Sequence, residues 1–331
     1  VILLRFIDIS MLCTRVCERQ TNLKTPKMNE GVIMTKINKL GLLASAAVVA
    51  GMSSAAFADG AKIGALGGIT GPIANLAPPI LDAGQMAADQ VNEQGGILGG
   101  KLEVIVGDSG CAEQNAVDSA NKLVNVDQVT ALFGPMCSGA FIAAVNSVSV
   151  PSNVVTVSAS ATSPQVTGLD DKDLAYRTAP SDAFQGEASA RNALKRGIKK
   201  VAITYINNDY GQGLAESFKT TFEANGGTVT AMTAHEPGKA SYRSELKTLS
   251  SGGADTLVVF AYAGDTGLTI IKQILENALF ERFIGGDGMK DDKLLTELGA
   301  ENLGNLILTA SDKAAFGRAR VRGVKPGDAR D

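Results

Sequence analysis

The groups in this chain best suited to act on another molecule are two loops of small hydroxyl side chains and one isolated carboxylate. The first loop, Met136-Cys137-Ser138-Gly139, follows the short apolar run VTALFGP and opens AFIAAVNSVSV, whose apolar residues recur at helical spacing. The second, Ser158-Ala159-Ser160-Ala161-Thr162, follows VPSNVVTV, read as a second buried strand. Both loops then fall at the carboxyl edge of a parallel sheet. Helix N-termini there present unpaired N–H groups and a positive dipole end, a setting that suits a carboxylate. Hydroxyls and backbone donors of this kind bind, and by themselves imply no reaction. The carboxylate is Asp287, set within Gly285-Gly286-Asp287-Gly288 after the apolar Phe283-Ile284. Two readings of it stand: a group held where a ligand can come close, or an Asx turn that satisfies only its own backbone. On the first reading, an anion site and a carboxylate face each other as partners for the two ends of a zwitterion.

Catalytic readings fare worse. The single histidine, His235, lies in the polar stretch TAHEPG, away from any strand-end Ser or Asp cluster, which argues against a Ser-His-Asp arrangement. There is no G-x-S-x-G and no metal-ligand spacing. Gly64, Gly67, Gly68 and Gly71 follow the first strand, but their spacing is not G-x-G-x-x-G and no Lys-Ser/Thr follows, so a loop that lets backbone approach a small ligand is the better reading. Cys137 could be a nucleophile at a helix N-terminus, but pairing with Cys111 would consume its thiol.

These groups need strands and helices to hold them. AKIGALGG, KLEVIVGD and VTALFGP read as strands. Between them ILDAGQMAADQVNEQGG places Ile80, Ala83, Ala87 and Val91 on one helical face, and EQNAVDSANKLVNV forms a second amphipathic helix. A short extended piece from Ala175 to Thr178 then meets Pro180, and Ser181 caps a helix with Phe184, Ala188 and Leu194 on its apolar side. A second alternating series follows, from KKVAITYINNDYGQG to NLILTAS, its helices closing on Gly or Asn. Asp209-Tyr210 and Tyr262 sit at its strand ends. Strands alternating with helices of this length predict an α/β protein of two Rossmann-like lobes, each with a parallel sheet.

The termini and composition set the class. MTKINKLGLLASAAVVAGMSSAAFADG, from Met34, has a basic start, a short apolar run and Ala56-Phe57-Ala58 before Asp59, the pattern of a secretory signal cleaved after Ala58. Residues 1–33 show no pattern that fits ahead of a signal and read as a spurious upstream extension. Residues 1–58 carry seven Lys/Arg and three Asp/Glu, so the remainder has 24 basic against 31 acidic side chains, a formal charge of −7. That balance argues against nucleic acid or an anionic membrane surface as partner. Cys13 and Cys17 fall in the leader, leaving Cys111 and Cys137, most simply one disulfide in an oxidising compartment.

In GPMCSG, SASATSP, NNDYGQG, FAYAGDTG, IGGDG and NEQGGILGGKLEVIVGD, in that family's features and order across residues 61–312, the chain resembles the periplasmic leucine/isoleucine/valine-type amino-acid-binding proteins of ABC importers, the type I periplasmic binding fold. The resemblance implies a first lobe at 59–178, a second at 179–308, and a hinge return with an aberrant tail at 309–331. It implies an exported, monomeric, non-enzymatic solute-binding protein without cofactor, located in the periplasm, that closes on an amino acid and passes it to a membrane permease. Residue by residue, it implies that Ser138 and Thr162 hold the ligand carboxylate, that Ser160 offers its carbonyl to the ammonium and Asp287 the countercharge, and that Tyr262 lies over the ligand with Tyr210 near the same mouth. Leu76 stands where some members have an aromatic wall. The family continues with elements that finish the first lobe, whereas this chain ends in AFGRARVRGVKPGDARD, so the C-terminal part of that lobe is expected to be missing. The alternatives are a binder of short amides or urea, and an extracellular sensor domain of the same fold. Asp287 favours an ammonium over an amide.

Overall fold

Residues 60–311 are described by the computed structural model, so the upstream extension, the signal and its cleavage site, Cys13, Cys17 and the C-terminal tail lie outside the described residues. The first sheet is built from β1 (Ala61–Gly67), β2 (Leu102–Asp108), β3 (Ala131–Phe133), β4 (Val155–Ser158) and β5 (Ala175–Arg177) in the order β2-β1-β3-β4-β5. The second comprises β6 (Lys200–Ile206), β7 (Thr228–His235), β8 (Thr256–Phe260), β9 (Arg282–Gly285) and β10 (Leu306–Leu308) in the order β10-β9-β8-β6-β7. Every pairing in both is parallel. Renumbered within each lobe, the two orders are the same, 2-1-3-4-5, with a switch point between β1 and β3 in one and between β6 and β8 in the other. Loops on either side of such a point diverge and leave a crevice at the strand carboxyl ends.

In the first lobe the crossovers are α1 (Ala77–Glu93), α2 (Glu113–Asn121) and α3 (Ser138–Ala144). The last two each run on into a wider π turn, at Lys122–Val126 and Val145–Ser149. One expectation fails here. VPSNVVTV is not a strand throughout: Val150–Ser152 is the final helical turn, Asn153 stops it in the left-handed region at φ 56°, and only Val155–Ser158 pairs. The second lobe has α4 (Asp182–Lys195), α5 (Asp209–Ala224), α6 (Arg243–Ser250), α7 (Leu268–Asn277) and α8 (Asp292–Leu298). These stop at or beside a glycine or Asn as expected, α7 at Asn277, after which Ala278 takes the left-handed conformation at φ 49°.

Ser181 caps α4 as expected, its hydroxyl accepting the Ala183 N–H. The buried face is not the one expected. Of the expected side only Leu194 packs against the core; Phe184 is 71% exposed and Ala188 is exposed too, while Asp182, Gly186, Ser189, Ala190 and Ala193 face inward. The reason is the closeness of α5. A Cβ at Gly186 would lie 2.6 Å from Ser217 Cβ and 2.7 Å from the Phe218 nitrogen, so the contact selects small residues and turns the phenyl ring outward.

The lobes differ in how their sheets are covered. α4 packs alongside α5 in the second. In the first, α1 does carry Ile80, Ala83, Ala87 and Val91 on one face, but with Ile63, Val104 and Phe133 of the sheet they line an open apolar groove of about 480 Å³, and Ala83 and Ala87 stay exposed.

The tightness of the α4–α5 contact is testable. Gly186→Val should lower stability by about 1–3 kcal/mol, the usual cost of overpacking, whereas Phe184→Ala should change it by less than about 0.5. Urea unfolding midpoints of the two variants check this.

Candidate functional site

Between the carboxyl ends of the two sheets lies a cavity of about 230 Å³. Its lining includes aliphatic side chains, Ile73 and Leu76 from the loop before α1, Ile80 from α1, and Met136. It also includes polar groups, Ser138 and Ser160 from the first lobe and Tyr210, Tyr262 and Asp287 from the second. Five of the six expected ligand residues therefore meet in one place. Thr162, the sixth, does not line the cavity, but it is buried and its hydroxyl has no hydrogen-bond partner.

The hydroxyl loops are tied together by their own bonds. Ser158 Oγ donates to the Pro135 carbonyl at 2.7 Å and accepts the Ala161 N–H at 3.0 Å. Ser160 Oγ donates to the Met136 carbonyl at 2.9 Å. Ser138 Oγ accepts the Ser163 N–H at 3.1 Å, which leaves the serine's own proton free to donate elsewhere. Arg177, not foreseen from the sequence, gathers the far side of the loop: Nη1 donates to the Thr162 carbonyl at 3.0 Å and the Ser163 carbonyl at 2.6 Å. With those carbonyls turned toward the guanidinium, Arg177 adds to the hydroxyl bonds that fix the loop. Ser138 also begins α3, whose cap residue Cys137 makes no side-chain cap bond, so the first N–H groups have no helical acceptor.

The disulfide joins Cys111 to Cys137, Cα atoms 5.4 Å apart, and so pins the residue before Ser138 to the loop after β2. That loop is itself held by Asp108, which accepts from the Ile69 N–H at 2.9 Å, the Gly110 N–H at 2.9 Å and the Thr70 hydroxyl at 2.6 Å.

In the second lobe Asp287 makes its hydrogen bond away from its own turn. Oδ1 accepts the Tyr210 hydroxyl at 2.9 Å, and the same hydroxyl accepts the Gly288 N–H at 3.1 Å. The Asx-turn alternative is replaced by this clamp. It also explains the flanking glycines: a Cβ at Gly288 would lie 2.7 Å from the Ala261 carbonyl and 2.8 Å from Tyr210 Oη, and one at Gly286 would lie 2.7 Å from Leu214 Cδ2. Tyr210, which lines the cavity, is buried, and it stacks on Tyr262 with ring centroids 5.1 Å apart and planes at 15°. Burial, then the neighbouring Asp287, pushes both phenols up, so both stay protonated.

Asp182, at the start of α4, was not singled out from the sequence. It is fully buried, its N–H donates to the Thr162 carbonyl at 2.8 Å, and neither carboxyl oxygen has a hydrogen-bond partner. Burial, reinforced by the nearby Asp287, pushes it up to about 8, and the Arg177 guanidinium offsets only part. His235 belongs to the interior of the second lobe, its ring nitrogens 2.8 Å from Thr204 Oγ1 and 3.2 Å from Thr266 Oγ1, and burial pulls it down to about 4. It takes no part in the cavity.

Comparison with known proteins places this geometry. The family model described as "Periplasmic binding protein" matches residues 60–321. The Leu/Ile/Val-binding protein BraC3 of Rhizobium johnstonii is 33% identical over 254 residues, covering 76% of this chain and 67% of that protein. A leucine-, isoleucine-, valine-, threonine- and alanine-binding protein of Pseudomonas aeruginosa is 29% identical, covering 81% of this chain and 71% of its own length. Among solved structures, the branched-chain amino acid transporter substrate binding protein LivJ of Streptococcus pneumoniae, in complex with isoleucine, has a TM-score of 0.67 and 26% identity over 77% of this chain and 73% of that one.

The raised Asp182 has a definite sign. The native form keeps a proton that the unfolded chain releases above its ordinary value of 3.8, so this group's stabilisation is full below that value and is lost as pH rises through about 8. Asp182→Asn, neutral at every pH, should therefore become more stable relative to the parent as pH goes from 4 to 8. A difference between their urea midpoints that stays constant over that range would mean Asp182 is ionised in the native protein.

Proposed function

The chain belongs to the periplasmic binding protein family, and from that premise we propose that it captures an aliphatic L-amino acid, of the leucine, isoleucine or valine kind, between its two lobes and delivers it to the permease of an ABC importer. The single observation that carries this reading is that one small cavity is lined both by aliphatic side chains and by polar groups from the two lobes, hydroxyls from the first and a carboxylate from the second. Its volume of about 230 Å³ lies below the roughly 300–1,000 Å³ of sites for drug-sized molecules, which favours a ligand of amino-acid size. Ser138, Thr162 and the first N–H groups of α3 would receive the carboxylate, and the Ser160 carbonyl with Asp287 the ammonium. Ile73, Leu76, Ile80 and Met136 would cover the side chain. Because Asp182 holds its proton at neutral pH, it adds no second negative charge, and one carboxylate is left to face one ammonium.

The relatives named above carry amino-acid ligands in their names, and this supports the ligand class. Export through a signal cleaved after Ala58, and action as a monomer in the periplasm, belong to the same proposal. The urea or short-amide reading is weaker, because a neutral amide would leave Asp287 facing no cation.

A thermal-shift panel of the twenty amino acids tests this. Leucine, isoleucine or valine at a hundredfold excess over Kd should stabilise by about 2.7 kcal/mol, and urea or acetamide should not. In calorimetry Asp287→Ala should cost about 2–5 kcal/mol of binding. Asp287→Asn, which can still accept the Tyr210 hydroxyl, isolates the charge. An Asp287→Ala protein that binds as tightly as the parent would remove Asp287 from the site.

A further inference from the structure

Outside the cavity, the two lobes also touch along its rim. Asn75 Nδ2 donates a hydrogen bond to Asp291 Oδ2 across the cleft. Beside it, a Cβ at Gly264 would lie 2.6 Å from Asn75 Oδ1 and 3.2 Å from the Pro72 carbonyl, so the first-lobe loop lies directly on the second-lobe backbone at the one residue type without a side chain. All three rim residues sit in segments that build the cavity. Asn75 precedes Leu76, Gly264 follows Tyr262 by two positions, and Asp291 follows Gly288 by three. The Asn75 loop is internally braced, with the Ala74 N–H bonded to the Gly71 carbonyl and the Leu76 and Ala77 N–H groups to the Ile73 carbonyl. Asp291 is fixed as well, because its other oxygen, Oδ1, caps α8 by accepting the Lys293 N–H at 2.8 Å. Two rigid segments thus meet in one bond that exists only while the lobes are together.

We propose that Asn75, Asp291 and Gly264 form the latch of the closed cleft and set how long a bound ligand is retained. The inference rests on the binding reading above for its ligand, while the latch itself is a property of the two lobes. A bond made only in the closed form multiplies the closed population, and apparent affinity scales with that population. A rim hydrogen bond in partial contact with water changes such an equilibrium about 2–10-fold. The effect falls on release, since the latch forms after the ligand has entered. Gly264 matters in a different way. A β-branched side chain there displaces Asn75 and presses on the Pro72 carbonyl, so it both breaks the bond and props the rim apart. The loop that would be pushed carries Ile73 and Leu76, so opening the rim also withdraws the aliphatic wall from the ligand.

The test uses Asn75→Ala and Gly264→Val in the full chain, none of whose altered residues lines the cavity, with L-leucine as probe. Stopped-flow and calorimetry should give release rates about 2–10-fold faster for Asn75→Ala, larger for Gly264→Val, with association rates within twofold of the parent. Small-angle scattering should give a larger radius of gyration for Gly264→Val than for the parent. Parent-like release rates in both variants, with an unchanged radius for Gly264→Val, overturn the latch. If the parent binds no leucine, the binding reading falls while scattering still decides the latch: a larger radius for Gly264→Val supports it, and equal radii overturn it.

Discussion

The hydrogen bond from the Tyr210 hydroxyl to Asp287 is the interaction on which the site depends. A carboxylate carried into a cleft lined by Ile73, Leu76, Ile80 and Met136 loses hydration and is stable there only with partners. Tyr210 supplies one from the first turn of α5 and is itself held by the Gly288 N–H. Much of the second lobe's local sequence follows from that clamp. Gly286 and Gly288 must lack side chains for the phenol to reach, and Tyr262 stacks on its ring. One oxygen of Asp287 is engaged by the protein, and on the proposed reading the carboxylate faces the ligand's ammonium.

The first lobe meets the opposite requirement by another route. Its polar groups are neutral hydroxyls and backbone N–H groups, which can surround an anion without themselves needing countercharges. They need a fixed shape instead. Arg177 holds the carbonyls of the Thr162 loop from behind, Ser158 links it to Pro135, and the Cys111–Cys137 disulfide holds the start of α3. Closing a loop of that span contributes about 3 kcal/mol in the chain-entropy account. The identical strand orders give each lobe a crevice at the carboxyl ends of its own strands.

How much of this could be read from the residues depends on the range of the interaction. The alternation of strands and helices, the hydroxyl loops at strand ends, the Cys111–Cys137 pair and the residues gathered in the cavity were all legible, because each leaves a local pattern or a motif. Arg177 and Asp182 were not, since their partners are carbonyls and burial contributed by distant segments, and nothing nearby in the chain marks them. Phe184 misled because helical spacing says which residues share a face and not how near the neighbouring helix stands; Gly186 decided that. VPSNVVTV misled because its valines are equally at home in a strand or in the last turn of a helix, and Asn153 in the left-handed region set the boundary. The covering of α1 was beyond periodicity altogether. Its apolar face is where the spacing puts it, yet whether anything packs on that face is a matter of topology.

The central claim is that the protein recognises both charged ends of one small molecule, each from a different lobe. Calorimetry with L-leucine, with 4-methylpentanoic acid, which lacks the ammonium, and with leucinamide, which lacks the carboxylate, tests it most directly. The account predicts that leucine binds and that each of the other two binds at least ~30-fold more weakly, the loss expected when a buried charge is left without its partner. Equal binding of leucine and either analogue would contradict it.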